Sequence, residues 1–512
     1  MQSAMVDGGS TAIPLAGHGN TIIIICSFIL FSLIYLLGLI IYNIYFHSLS
    51  TYPGPKSWAA TNILWLRAQV NGSYHLQIFN LHEKYGPVVR IAPDELSYIS
   101  AEAWKNIYGH RRVGELEMAK SSKWYTNASL GESLLIANRE DHNRVRRQLS
   151  HGFSNRSLKE QEALIKSYVD SMIEKLKKNS HGGETPLDVV SWYNFTTFDI
   201  MGDFIFAESF HCLDSEGYHD WVKSVYTSIK AHAYNRAMQH IPGTSRLAKW
   251  LTPANLLEKL YYFQRMTRER VQRRLAYKIE RPDFLSNILK EKDPTRRMSL
   301  EHIEGNSIIL VIAGSETTAT LMSGATYLLL KNPRTMTKLV EEVRSTFQRD
   351  EDITIESASR LRYMHGCIEE AFRIYPPVPV GLGRVVPKGG YVVDGKWVPE
   401  GTTLTVTQYA ASHSPTNFTD PESYIPERWL DDPNYDSDAR DVLQPFSVGP
   451  RNCLGKNLAY AEIRLMLTKM LFHFNLELVD PDDMWLRQET YQLWEKGPLM
   501  VRCLPVDGGG GV

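Results

Sequence analysis

Two stretches of the chain are almost free of charge, and they differ in what surrounds them. Ile22 to Tyr42 carries no charged residue, and with Ile44, Tyr45 and Phe46 the run is long enough to cross a bilayer as a helix. Gly305 to Leu330 is nearly as apolar, but it carries Glu316 and ends at Asn332-Pro333. A lone carboxylate at the centre of a bilayer helix is costly. Charged amphipathic stretches such as Ser157 to Lys178 and Phe263 to Ile279 mark the body of the chain as soluble, so the second run is predicted to be a helix buried in a protein core. The first run is too long for a cleaved signal peptide, has no Lys or Arg before it and no small-residue cleavage site after it, and predicts a retained anchor.

Pro87 to Ile99, turning at Ala92-Pro93-Asp94, and Arg384 to Gln408, punctuated by Lys388-Gly389-Gly390 and Asp394-Gly395, read as the strands of a small sheet. The chain therefore divides into a short N-terminus at 1–20, an anchor at 21–46, a Pro/Gly hinge at 47–58 around Tyr52-Pro53-Gly54-Pro55, a globular domain at 59–505 and a glycine tail at 506–512. Asp7 is the sole charge before the anchor, whereas Lys56 and Arg67 follow it, so the domain is expected on the cytoplasmic side and the N-terminus in the lumen. The sequons at Asn71, Asn127, Asn155, Asn194 and Asn417 should then stay unmodified.

Lys plus Arg number 56 against 57 for Asp plus Glu, a net charge of -1, so no global field draws nucleic acid and any charge-based partner must use a local patch. Five cysteines, Cys26, Cys212, Cys367, Cys453 and Cys503, contain no CxxC pair, which argues against a zinc site or a disulfide framework. A reducing compartment and one special cysteine fit this pattern.

That cysteine lies in Phe446-Ser447-Val448-Gly449-Pro450-Arg451-Asn452-Cys453-Leu454-Gly455, ahead of an apolar helix beginning near Lys456. Gly449 and Gly455 permit a tight turn and close backbone approach to a flat cofactor and its sulfur ligand, and the helix N-terminus favours a thiolate. Upstream, Glu370 and Arg373 share one helical face at i, i+3, ahead of Tyr375-Pro376-Pro377 and of Pro426-Glu427-Arg428-Trp429. Ala313-Gly314-Ser315-Glu316-Thr317-Thr318 places a carboxylate beside a hydroxyl on the dry helix, an arrangement able to deliver protons while bulk water is kept out. A Thr317 hydroxyl bonded back to its own helix is the competing expectation.

These segments, in this order from about Tyr52 to Cys503, resemble the cytochrome P-450 superfamily, and most closely its fungal secondary-metabolism members. The resemblance implies a mainly α fold with a small β region, the cytochrome P-450 fold, preceded by one N-terminal transmembrane helix. It implies haem (heme b) ligated by Cys453, with Phe446 and Arg451 of the same loop at the cofactor. His142 and Arg146 of His142-Asn143-Arg144-Val145-Arg146 and Arg384 of the β region would serve its propionates, although many members have tryptophan in place of His142. Glu316 and Thr317 would be the catalytic pair. Glu370, Arg373 and Arg428 would form the structural Glu-Arg-Arg cluster behind the haem.

The implied activity is monooxygenation of an apolar small molecule, lodged against Ile309, Ala313, Val378, Val380 and Leu382, with O2 and electrons from NADPH. The implied partners are NADPH-cytochrome P-450 reductase, cytochrome b5 and membrane lipid at the endoplasmic reticulum, with Arg144, Arg147 and Lys456 as a docking patch. A haem-thiolate isomerase or dehydratase that needs no reductase, and a non-catalytic membrane-bound ligand-binding protein, are the alternatives.

Overall fold

The structure, a computed structural model, describes residues 16–112, 114–125, 132–223, 254–277, 283–289 and 297–506, with the single positions 234 and 293. The glycine tail and the Asn127 sequon lie outside them, as does most of the N-terminal 1–20 segment.

The two apolar runs part company as predicted. Helix α1, Ala16–Ile41, continues through a π-helical turn at Tyr42–Phe46, and its span Ile23–Phe46 has mean hydropathy 2.8 with none of the most apolar window buried. In contrast, 67% of the equivalent window of the long helix Leu300–Lys331 is buried. Four further helices frame it: α2 (Arg139–Leu149), α3 (Asn155–Asn179), α4 (Val189–Phe206) and, after the long helix α5 (Leu300–Lys331), α6 (Arg362–Ile374). A seventh, α7 (Lys456–His473), follows the cysteine loop. Helix α4 packs along α5 and is itself buried over nearly its whole length, so α5 is wrapped in protein where a lipid-facing helix would be bare. Ser299 caps the start of α5 by accepting the His302 N–H, and the helix stops at Asn332 because Pro333 follows.

The β signals form strands where expected. A five-stranded sheet runs β1-β2-β8-β5-β3, built from Val88–Ala92 (β1), Glu95–Tyr98 (β2), Ala119–Lys120 (β3), Arg384–Val385 (β5) and Thr403–Val406 (β8). β2 and β8 pair in parallel and the other neighbours antiparallel, with Lys120 opposite Arg384. β6 (Tyr391–Val393) and β7 (Lys396–Val398) make a hairpin whose Asp394 and Gly395 adopt φ of 50° and 73°, the left-handed pair that a two-residue turn requires. A second sheet, β4-β10-β9, joins Leu187–Asp188 (β4), Phe474–Leu478 (β9) and Met500–Pro505 (β10) near the C-terminus.

The segment 47–58, expected as a Pro/Gly hinge, packs onto the domain. Leu49, Tyr52 and Trp58 are buried in the core. Arg90 donates to the Asn43 carbonyl at 2.9 Å, the Asn43 amide donates to Ala60 O at 2.9 Å, and the Tyr52 hydroxyl donates to Trp397 O at 2.7 Å. A Cβ on Gly54 would lie 2.6 Å from Arg90 O, so the proline-rich strap is pressed onto β1. Its apolar side chains find a core to enter, and that burial overrides the local Pro/Gly signal. Two sequons are closed by folding: Asn194 is buried, and the buried Asn417 side chain donates to Ile99 O and Ala411 O.

Candidate functional site

Helix α5, the cysteine loop, α2 and the chain after α6 enclose a cavity of ≈ 300 Å³. The loop forms because Ser447 and Gly449 take positive φ, 57° and 76°, and the Cys453 N–H returns to Phe446 O at 2.8 Å. A Cβ at Gly449 would stand 2.0 Å from Tyr108 O, so this glycine is sterically obligatory. Cys453 is accessible, yet protein surrounds it: its open side is the cavity wall, and all five cysteines are unpaired. Burial pushes its thiol up from the ordinary value, opposed by the backbone N–H groups of Gly455 and Lys456 and by the charges of Arg146 and Lys456. Those donors at the start of α7 are aimed to stabilise an anionic sulfur.

One side of the cavity is unusually basic. His142, Arg146, Arg451 and Lys120 line it, and Arg384, across the strand pair from Lys120, lies just behind. Arg146 grips the loop itself, donating to Asn452 O at 2.6 Å and to its side-chain oxygen at 2.5 Å. Arg451 donates to Glu117 and, at 3.0 Å, to Ala137 O. Arg384 is 5% exposed and its Nε has no hydrogen-bond partner. The Lys120 ammonium donates to the carbonyls of Leu134 and Leu135; burial, then Arg451 and Arg384, push it down to about 6, against the pull of Glu117. Burial followed by Arg451, Lys120 and Arg146 pushes His142 down to about 3, so its imidazole is neutral. Neither Lys120 nor Glu117 was singled out from the sequence.

The wall formed by α5 separates the two members of the expected catalytic pair. Thr317 lines the cavity, but its hydroxyl donates to Ala313 O at 2.5 Å, the helix-bonded alternative. Glu316 does not line the cavity. Its carboxylate is 1% exposed on the opposite side of α5, where the Lys496 ammonium bridges it to the Thr320 hydroxyl, with Lys496 Nζ 2.6 Å from Thr320. Successive helix residues point about 100° apart, so with Thr317 on the cavity wall Glu316 points away from it, toward Lys496. Gly314 makes room for Met201 of α4, which a Cβ would approach to 2.7 Å. Val380 is buried outside the cavity, whereas Ile309, Ala313, Val378 and Leu382 give it an apolar lining.

A carboxyl that does reach the cavity is Glu462 of α7, unremarked in the sequence. Both its oxygens are buried without a well-formed hydrogen bond, and burial pushes it up to about 8, the Thr318 hydroxyl weighing slightly the other way. It is protonated at neutral pH. Its pKa in the unfolded chain is near 4.5, so folding binds a proton, and stability falls as pH rises from 4.5 through about 8. Glu462→Gln is expected to abolish that slope and to gain a few kcal/mol at alkaline pH, measured by denaturant unfolding across that range.

Behind the cavity, Glu370, Arg373 and Arg428 are fully buried and joined to one another. Glu370 accepts from Arg373 at 2.8 and 2.9 Å, from Arg428 Nε at 3.1 Å, from the Trp429 indole at 2.9 Å and from Ile425 N at 2.9 Å. Asp438 completes the set by accepting from Arg428. Phe446 lines the cavity on this side and meets Phe372 edge-on, with ring centroids 5.2 Å apart.

Among the described residues no three His, Cys, Asp or Glu side chains converge as a metal site. A metal held here by one sulfur must bring its remaining ligands in a prosthetic group. An apolar slot with one thiol and a basic margin that includes a buried, unpartnered guanidinium nitrogen fits an iron porphyrin carrying acidic side arms.

The comparisons with known proteins agree. The family model described as Cytochrome P450 matches residues 52–501. Cytochrome P450 monooxygenase lcsI of Purpureocillium lilacinum is 43% identical over 94% of this chain and 94% of its own. Cytochrome P450 monooxygenase efuB of Hormonema carpetanum is 45% identical over 90% of this chain and 92% of its own. Averantin hydroxylase of Dothistroma septosporum is 40% identical over 92% of this chain and 90% of its own.

Proposed function

This chain belongs to the cytochrome P450 family and is an oxygen-incorporating oxidoreductase, and on that premise we propose that Cys453 ligates its haem and that it oxidises an apolar small molecule of fungal secondary metabolism. Haem with a thiolate ligand supplies O2 activation and transfer of one oxygen atom to a C–H bond. The residues supply the rest. Gly455 and Lys456 N–H groups hold negative charge at the Cys453 sulfur, and Arg146 fixes the loop by its Asn452 bonds. Arg384, Arg451 and Arg146 would receive the propionates, with Lys120 and His142 beside them. Ile309, Ala313, Val378 and Leu382 keep water from the substrate.

Proton handling falls to the Thr317 hydroxyl, poised on the cavity wall, and to the protonated Glu462 carboxyl beside Thr318. Thr317→Ala is expected to consume NADPH at near wild-type rates while releasing peroxide in place of product; coupling of product to NADPH unchanged by the substitution removes Thr317 from this role. Electrons arrive from NADPH through a membrane-bound reductase, with cytochrome b5 as a second donor, docking on exposed Arg147 and Lys456 near the cysteine loop. The placement is the endoplasmic reticulum membrane, with α1 crossing it and the domain facing the cytoplasm, following the positive charges after the apolar run.

One observation carries this reading: a solitary sulfur opens on an apolar cavity whose margin is basic. The test is the spectrum of the purified, reduced protein under carbon monoxide. A red-shifted thiolate band is expected, and its absence from folded, haem-loaded protein would falsify the assignment.

A further inference from the structure

Glu117 sits where the site has most need of positive charge. Arg451 Nε donates to its Oε1, Arg384 Nη1 stands 4.0 Å from the same oxygen, and Arg139 Nε is 3.8 Å from Oε2. This is no ordinary surface bridge. The Arg384 and Arg451 side chains are each 6% exposed and that of Glu117 is 18% exposed, so the charges interact through protein more than through water. Lys120, three residues along, feels the same carboxylate. Three guanidiniums, those of Arg146, Arg384 and Arg451, thus gather at one margin of the cavity around Lys120, with the Glu117 carboxylate set among them.

Two propionates would set three negative charges, counting Glu117, against the three guanidiniums of that margin, and only two without Glu117. We propose that Glu117 is a positioning residue of the haem site: it pins Arg451 and Arg384 and sets a permanent negative charge beside the propionates, holding the iron at a lower reduction potential. The assignment rests on the haem reading above. Reduction adds one electron to the prosthetic group, and a fixed anion nearby, poorly screened, opposes that added charge.

The experiment uses the full-length protein in lipid nanodiscs, without substrate, and compares redox midpoints by spectroscopic titration. Glu117→Gln is expected to move the midpoint in the positive direction, while Glu117→Asp stays close to wild type. Arg139→Gln, at a 60% exposed position outside the cavity lining, removes the solvent-side cation from Glu117 and is expected to move the midpoint in the negative direction. Haem-loaded Gln variants with wild-type midpoints overturn the role of Glu117, and so does an Asp variant that shifts as the Gln variant does. If Glu117→Gln fails to accumulate, the Arg139→Gln midpoint alone decides. Wild-type protein that takes up no haem overturns the haem reading itself, an outcome visible in the absorption spectrum before any titration.

Discussion

Glu370→Ala is expected to yield almost no haem-loaded protein. The substitution leaves the Arg373 guanidinium without a carboxylate and takes one of two from Arg428, which keeps Asp438, and neither has water to turn to: both are 0% exposed. It also removes the acceptor for the Trp429 indole and the Ile425 N–H. Removing one partner of a buried ion pair costs about 3–5 kcal/mol, and a domain holds only about 5–15 kcal/mol in all. Arg373 retains carbonyl partners at Ser412, Pro421 and Ser423, which soften the loss but do not balance the charge. Glu370→Gln, which keeps the shape and one acceptor oxygen, should fall between. The haem-to-protein ratio of purified material, with urea unfolding of whatever accumulates, measures both; a normal ratio for Glu370→Ala would show that the cluster is dispensable.

Cys453→Ser should behave in the opposite way, sparing the fold and removing the chemistry. The Cys453 side chain faces the cavity and packs little of the core, and its backbone N–H bond to Phe446 O does not depend on the side chain. The alcohol is too weak an acid to hold the anionic charge that the Gly455 and Lys456 N–H groups are placed to stabilise. The expected result is soluble, folded protein with no red-shifted carbon monoxide band and turnover reduced to background. Cys26→Ser, in the apolar α1 helix, is the matched control and should retain the band. Retention of the band in Cys453→Ser would send the search to another ligand.

What could be read from the sequence was local. The cysteine loop is contiguous, and its following helix and its backbone turn are set within ten residues, so its conformation was foreseeable from Phe446 to Gly455, although the tightest constraint on Gly449 comes from Tyr108 O. The Glu370-Arg373 pair followed from helical spacing, and the β6–β7 turn from Asp394-Gly395. The orientation of Glu316 was not local. It is fixed by Lys496, a partner 180 residues away on a loop that no motif marks. Glu117 and Lys120 were missed for a related reason: β3 is two residues long, and its place beside Arg384 is a tertiary pairing with almost no periodic signal. Glu462 could have been found. The argument that a lone carboxylate on the apolar α5 helix demands a reason applies equally to α7, whose residues from Ala461 to His473 are all buried except Arg464 and include Lys469, paired with Asp170 at 2.5 Å and Asp350 at 2.6 Å. The packed strap at 47–58 failed in the other direction, because proline and glycine describe the backbone and say nothing of where Leu49 and Trp58 go.

That strap changes what the apolar N-terminal helix does for the enzyme. A loose tether would let the domain swivel above the lipid, with its cavity mouth facing every way in turn. Clamped instead through Asn43, Arg90 and Tyr52, a helix seated in a bilayer would carry the domain with it as one lever, and bilayer thickness would then set which face of the enzyme meets the lipid.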